Sequence, residues 1–513
     1  MKKVLIISIL FYSSFSIIAQ NFSLTRGKRF EQNNSFLTYF IGSDSTGFYT
    51  KRTSIKGSGF THQIQKFNKT SLDTAYSKDL DIKGSEKVIK TFLKNKRLMV
   101  FTSKFIKSEK NTSILLREYN PTTGYSIDSS RILATYTCNL KEDCIFNIEF
   151  SPDDLKMAVI IGLNQEGMVQ LSATIYDAVS LKRIGQIKTI TSSEKLSERK
   201  PEYSYHASTY NNVASKSTNF KLKNNGTLIY IFNNVIDYYH GNIAFAYIPI
   251  ESKDVQIKTI NLKQLNIHNC AFDFVDENIF ISGIFKDIRT KQDKKERETD
   301  NIGVYSVIVN PETMEIKNQI FEHFPVDVVE KLTYSDSEGK TVHRKYYFPK
   351  SILTINNALY LIETHISTNF SSNIPIAYDR EFIISKLSRE GKIEWIKVIP
   401  KFTTNALNGY NYVIRNNKVY LFYAEKPENL KNGNVDKYDQ NKYDYIYHYN
   451  NSILVCTTFD ENGILNRSEV PESKNWFYEP TASNILFEKD NGLIIKMLNN
   501  AEERYDSITI TEQ

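Results

Sequence analysis

Apolar and polar residues alternate with period two over many short stretches of this chain, and runs of Asn, Asp, Gly and Lys separate the stretches. Alternation of that kind predicts half-buried β-strands, and the polar runs predict turns. "EFSPDDLKMAVI" (149–160) shows the unit: a strand end, a Pro-Asp turn, then an apolar strand. The same event recurs as "FIGSDSTGFYT" near 45, "FLKNKRLMVF" near 95, "FKLKNNGTLIYIF" near 225 and "FDFVDENIFISGIF" near 277. It returns as "LTINNALYLIE" near 357, "VIRNNKVYLFYAE" near 417 and "LFEKDNGLIIKM" near 491. Asn, Asp and Gly accept the positive φ angles that tight hairpin turns require. Eight hairpins about 50 to 80 residues apart constitute a repeat.

A second hairpin follows most of the first ones. Its instances are "KFNKTSLDTAYSKDL" (66), "EYNPTTGYSIDSSRI" (118), "IYDAVSLKRIGQIKTI" (175), "YIPIESKDVQIKTINL" (247), "IVNPETMEIKNQI" (308), "KLSREGKIEWIKVI" (386) and "TFDENGILNRSEV" (458). Each unit therefore supplies four strands, and only the last stops after its third. "FSLTR" (22–26), upstream of the first hairpin, is the natural donor of the missing strand, because an open blade edge would expose a row of unpaired backbone groups. The expected fold is all-β: a single β-propeller of four-stranded antiparallel blades, closed by an N-terminal strand. Eight blades are expected, with seven as the alternative count because the first hairpin is the weakest. No Pro-, Gly- or Ser-rich linker divides the chain, so residues 20–513 are read as one domain.

Residues 1–19 read as a secretory signal peptide: a basic "MKK", the apolar "VLIISILFYSSFSII", and Ala19 ahead of Gln20. The apolar stretch is shorter than the ~20 residues that a membrane-spanning helix needs, and no later segment is apolar enough to span. The expected location is periplasmic or extracellular. Lys and Arg number 65 against 58 Asp and Glu, a balance that supports solubility and does not argue for nucleic acid. Four cysteines are too few for a disulfide framework. Cys138 and Cys144 share one polar loop and could close a small ring, whereas Cys270 and Cys456 stand in apolar runs as buried small side chains.

Phe150, Ser151, Pro152 and Asp153, followed by Met157, Ala158 and Val159, resemble the "FSPD…LA" signature of periplasmic and WD-repeat-like propellers. The match covers one blade, and Asp154 stands where that family usually has Gly. The Gly391–Trp395 turn, "GKIEW", is similarly like the repeats of secreted bacterial propellers. The resemblance implies a fold and little about function, since propellers host enzymes, glycan binders and scaffolds alike.

Catalytic and metal motifs are sparse. The eight histidines lie at no metal-ligand spacing, and there is neither H-E-x-x-H nor C-x-x-C. "YSDSEGKT" (334–341) ends like a phosphate loop but has Tyr334 in place of the first glycine. It also falls short of the sialidase turn, with Ser337 at the Asp position and Val342 at the Trp, so a plain exposed hairpin accounts for it. "NVDKYDQN" (434–441) has calcium-like spacing that Lys437 and Lys442 oppose. No cofactor and no metal site are expected.

The connections between second and third strands point further. They are modest through the fourth blade, about seven residues in the first, and then lengthen at 286–300, 366–379 and 426–445. Long connections on a rigid scaffold are where binding surfaces usually sit. The candidate binding residues are Arg289, Phe370, Tyr378, Asp379, Tyr438 and Tyr443, tyrosines with neighbouring Asn and Asp suiting a protein or glycan. The expected function is an exported, non-enzymatic binding or scaffold propeller, monomeric, recognising a protein or glycan of the cell envelope. The alternative is a propeller-class carbohydrate-active hydrolase or lyase with its carboxylates in the central funnel.

Overall fold

The computed structural model describes residues 21–31, 35–56, 59–137, 144–165, 168–185, 188–191, 220–237, 240–250, 256–262, 265–267, 270–287, 302–335, 341–343, 347–369, 376–404, 410–431, 452–463, 466–470, 477–478, 485–487, 492–499 and 502–511. They form an eight-bladed β-propeller, each blade an antiparallel sheet whose strands we letter A to D in chain order. Blade 1 is Ser35–Ser43, Gly47–Lys56, Gly59–Asn68 and Thr74–Asp79. Blade 2 is Glu86–Lys94, Arg97–Ile106, Asn111–Tyr119 and Arg131–Thr137. Blade 3 is Cys144–Phe150, Lys156–Gln165, Met168–Asp177 and Lys188–Thr191. Blade 4 is Phe220–Leu222, Leu228–Asp237, His240–Ile248 and Gln256–Asn261.

Blade 5 splits its A strand into Leu265–Ile267 and Ala271–Val275, then continues through Asn278–Asp287, Ile302–Val309 and Ile316–His323. Blade 6 is Tyr347–Ile355, Ala358–Asn369, Ile376–Leu387 and Ile393–Thr404. Blade 7 is Asn411–Arg415, Lys418–Glu425, Ile453–Phe459 and Asn466–Glu469. Blade 8 has a split A strand, Phe477–Tyr478 and Ile485–Phe487, then Gly492–Asn499 and Glu502–Thr511. Its D strand is Asn21–Arg26, paired with Glu502–Thr511 from Asn21↔Thr511 to Arg26↔Asp506. The expected closure is therefore present, and it supplies the strand that the C-terminal unit lacks.

The A strands of successive blades lie against one another, at blades 1 and 2, 2 and 3, 3 and 4, 5 and 6, and 8 and 1. That arrangement puts A innermost and D at the rim. Between blades the core is a series of apolar seams made by alternate residues of B and C, such as Leu98, Val100, Tyr49 and Ile64 between blades 1 and 2. The closing seam is aromatic. Phe48 stacks on Phe67 at 5.0 Å, and Tyr505 of blade 8 stands 4.6 Å from the Phe67 ring.

Turn chemistry explains why the repeat folds this way. The A–B turns place Asn95 and Lys96 at φ 50° and 59°, and Asn416 and Asn417 at 45° and 61°, the double left-handed geometry of a tight hairpin. In "SPDD" the left-handed position falls on Asp154, φ 58°, where the resembling family uses Gly. Asp153 Oδ1 accepts from Ser151 Oγ at 2.6 Å and from the Leu155 N–H at 3.0 Å, which holds the turn.

The C–D turns repeat a second device. Asn68, Asn120, Asp177 and Asn310 each accept backbone N–H groups two and three residues on. The next residue is then left-handed: Leu72, Gly124, Leu181 and Met314. For a leucine that conformation costs about 1–2 kcal/mol. Burial of Leu72 and Leu181, 2% and 4% exposed, returns about as much. In blade 2 glycine is required, since a Cβ on Gly124 would lie 2.5 Å from Tyr76 of blade 1.

Several expectations change in detail. The blade 1 B–C connection is shorter than the pattern suggested, only residues 57–58 between Lys56 and Gly59. Much of 366–379 is strand, not loop: Ile366↔Asp379 and Asn369↔Ile376 extend the blade 6 hairpin, leaving 370–375 as its connection. Tyr334, Ser335 and Thr341, at the ends of the stretch 334–341, belong to a short antiparallel pair, Thr333–Ser335 with Thr341–His343, and residues 336–340 lie outside the described residues. Cys270 and Cys456 are buried, 5% and 0% exposed. No helix among the described residues is long and apolar enough to cross a membrane. Residues 1–19, the expected signal peptide, lie outside the described residues.

The closure carries a direct expectation. Leu24 packs against the blade 7 and 8 core while Thr25 is exposed. Leu24→Asp should therefore lower stability by about 1–3 kcal/mol in urea unfolding, and Thr25→Asp by no more than about 0.5 kcal/mol.

Candidate functional site

Antiparallel strands alternate in direction, so A–B and C–D turns emerge on one face and B–C and D–A connections on the other. The second face is uneven. In blades 1, 3, 4 and 8 the B–C connections are residues 57–58, 166–167, 238–239 and 500–501. Blade 6 instead carries its B–C hairpin two residues beyond the ten-residue B strands of blades 1 to 5, to Asn369↔Ile376, and its D strand pairs alongside as far as Tyr378↔Thr404. Between blades 5 and 6 the chain inserts helix α1 (Val326–Lys331) and the 333–343 hairpin. Blade 7 opens its B–C connection with helix α2 (Pro427–Lys431).

Beneath this raised rim lies a buried polar network. Glu425, the last residue of the blade 7 B strand, accepts from Arg467 Nη2 at 2.8 Å and from Asn429 Nδ2 at 2.8 Å. Arg467 Nε donates to the Tyr423 hydroxyl at 2.9 Å, and its Nη2 reaches the Pro400 carbonyl of blade 6 at 3.3 Å. The Arg467 and Glu425 side chains are 4% and 0% exposed. Burial pushes the Glu425 carboxyl up, and the Arg467 charge pulls it back. The network ties helix α2 to two blades and fixes the base of the 426–452 connection.

A second cluster lines the inner strands. Lys90 Nζ donates to the Ile148 carbonyl at 2.9 Å, while Asn147 Oδ1 accepts the Ile148 N–H at 2.9 Å. Both backbone groups of that inner-edge residue are thereby satisfied by side chains. Lys94 pairs with Asp154 at 2.7 Å, and Lys221 with Asp273 at 3.5 Å. These four side chains are 32–35% exposed, as expected of a wall facing an open channel.

Glu149 stands among them. Burial pushes its carboxyl up to about 7, against the pull of Lys90, Lys221 and Lys94. Tyr412 of blade 7 is raised by burial and then by the charge of Asp273. A carboxyl poised near neutrality beside ammonium groups can take up or release a proton, the requirement for general acid–base chemistry.

Of the residues proposed from sequence, Tyr378 and Asp379 sit side by side on the raised blade 6 hairpin. Arg289, Phe370, Tyr438 and Tyr443 lie outside the described residues, as does Cys138; Cys144 opens the blade 3 A strand. Sequence reading passed over Glu149, Lys90, Lys221, Asp273, Glu425 and Arg467. A signal existed for the channel: "IEF", "FKL" and "FDF" each set one charged residue between two apolar ones just ahead of the A–B turn.

No family model matches this chain, and no curated protein matches it. Solved structures similar to it include the polysaccharide lyase Uly1, 11% identical over 94% of this chain and 99% of that one, TM-score 0.38. Another is the β-propeller domain of the Trilobed protease from Pyrococcus furiosus, 9% identical over 87% and 98%, TM-score 0.34. A third is an ulvan lyase, 9% identical over 81% and 90%, TM-score 0.38. No chemistry carries over at such identities.

Two measurements follow from the geometry. Truncating Arg467 to Ala strands a buried carboxylate and should cost about 3–5 kcal/mol in chemical denaturation. Glu149 holds its proton more tightly folded than at its ordinary value of 4.5, so its contribution is full below about pH 4.5 and is lost as pH rises toward 7. Glu149→Gln should remove that decline, leaving the variant more stable than the parent at pH 7.5 by on the order of 1–3 kcal/mol in urea titrations.

Proposed function

We propose that this chain is an exported propeller that binds a protein or glycan of the cell envelope on its B–C face, across the rim raised by blades 5 to 7, without chemically altering it. The observation carrying this reading is the local elevation of an otherwise low face. Blade 6 carries its paired B–C hairpin outward past the ends of blades 1 to 5, a helix and a hairpin precede it, and the helix that opens the next connection is anchored by a buried hydrogen bond from Asn429 to Glu425. A paired, rigid projection loses little conformational entropy when a partner docks. Tyr378 and Asp379 stand on that projection.

A specific observation favours a second reading. Glu149, poised near 7 in a channel lined by Lys90, Lys94 and Lys221, has the protonation behaviour of a catalytic acid or base. On that reading the substrate is a polysaccharide threaded to the channel, and the rim only delivers it.

One experiment separates the two. The chain and a variant with residues 367–378 replaced by Asn-Gly are used as bait against envelope extract and a polysaccharide panel, with sugar release followed in parallel. Retention of a partner by the parent alone, without release, is the expected result. Sugar release by both forms, abolished in Glu149→Gln, would transfer the function to the channel.

A further inference from the structure

In several blades the third residue of the D strand bridges to the C–D turn of the next blade. In blade 1 it is Tyr76, whose hydroxyl donates to the Pro121 carbonyl at 2.9 Å and whose ring lies against Gly124 of the blade 2 turn. In blade 6 it is Trp395, whose Nε1 donates to the Glu461 carbonyl at 3.1 Å and whose ring lies against Gly463 of the blade 7 turn. Blade 5 has Asn318 in this place. Its Nδ2 makes the corresponding bond, 2.8 Å to the Glu390 carbonyl of blade 6, but no ring accompanies it.

Where the ring would lie there is a cavity of about 370 Å³, on the face of the A–B and C–D turns. Val275, Phe280 and Ile308 of blade 5 give it an apolar surface. Its walls are fixed from both blades. Arg389 Nη1 donates to Asp276 Oδ2 at 3.0 Å, and Arg389 Nε to the Asn357 carbonyl at 2.9 Å. The blade 6 turn is pressed so close that a Cβ on Gly391 would lie 2.6 Å from the Ser306 Cβ. A cavity held open in this way needs little reorganisation to admit a ligand.

The polar groups left over decide what it admits. Arg389 and Asp276 neutralise each other, which leaves Lys317 and Glu390 on the lining, one charge of each sign. No net charge selects an ion. The second oxygen of Asp276 and the buried Oδ1 of Asn278 have no hydrogen-bond partner among the described residues. The Asn278 amide turns about χ2, a torsion with a broad profile, so its oxygen or its nitrogen can face the cavity. A carboxylate oxygen accepts a hydroxyl and an amide both accepts and donates, while the apolar surface covers C–H groups. A neutral pyranose presents hydroxyls and C–H groups together, on a ring of the size that Tyr76 and Trp395 supply elsewhere.

We propose that the cavity between blades 5 and 6 is a sugar site, taking one neutral pyranose, free or at the end of a glycan, in place of the aromatic ring that other blades carry there. It lies on the face opposite the raised rim and does not rest on what the rim or the channel binds.

The probes are glucose, galactose, mannose and N-acetylglucosamine, each as the free sugar and as its methyl glycoside, titrated against the full chain by saturation-transfer NMR and calorimetry. At least one should bind with a millimolar Kd. Asn318→Trp restores the ring of blade 6 at this place, and it should keep the parent's Tm while abolishing binding. Asn278→Ala should weaken binding about tenfold. Binding of the methyl glycoside as well as the free sugar assigns the site to a chain end, and binding of the free sugar alone to a monosaccharide; both support it. Failure of every sugar to bind the parent, or binding that both variants leave intact, would overturn it.

Discussion

The pairing of Asn21–Arg26 with Glu502–Thr511 is the contact on which the remaining architecture depends. A blade buries its B and C strands only if another blade lies on each face, so seven of the seams could form in an open stack while the eighth requires a ring. That eighth seam is where the aromatic residues gather, with Phe30, Phe40, Phe48, Phe67 and Tyr505 in mutual contact. The D strand of blade 8 comes from the opposite end of the chain, so the seam cannot be completed by local contacts. Its hydrogen bonds and ring contacts become available only after the blades have curved round, which makes closure a cooperative constraint on the whole ring.

Much of the fold was legible because the turns are chemically explicit. "KNK", "SPDD", "VDEN" and "RNNK" all mark positions where the backbone goes left-handed, and each proved to be an A–B turn. The C–D device was legible only in part. Asn68, Asn120, Asp177 and Asn310 stand out as turn residues, but nothing in a leucine says that it will be left-handed. Leu72, Leu181 and Met314 are so because a neighbouring seam supplies a pocket that repays the strain, and that pocket is tertiary. The blade 6 extension was misread as loop for a related reason. "ISTNFSSNIPIAYD" is polar and turn-like, and its strands persist because all three outer strands of the blade rise together.

The charged groups were harder still. Glu149 sits within "EFSPDD", yet its environment depends on Lys90 and Lys221, supplied by strands of the two neighbouring blades. Glu425 and Arg467 are likewise brought together only when the outer strand of blade 7 returns to the end of its B strand. Carboxylates are common in this chain, so sequence alone cannot single out which ones the ring encloses. What would have raised their prior is position within the repeat, a charge where the other units carry an apolar residue.

Those buried charges do not follow from stability. The seam between blades 4 and 5 is filled by Ile, Val, Phe and Tyr, including Ile229, Phe245, Ile281 and Val307. The seams around blade 6 put Glu363, Glu381, Ser385, Lys401 and Glu425 in equivalent layers, all fully buried. Replacing buried ion pairs with apolar residues of similar volume is often neutral or stabilising, so a ring built for stability alone would repeat the apolar solution around its whole circumference. Blade 8 also buries Lys496, Glu503, Arg504 and Asp506, and blade 2 buries Arg117 against Glu86, but in blade 7 the buried charges lie directly beneath the connection that helix α2 opens. Hydrogen bonds to charged partners fix direction as well as distance, which apolar packing does not. Around Glu425 and Arg467 the chain thus gives up some packing energy for a base whose geometry is set bond by bond, and helix α2 stands on that base.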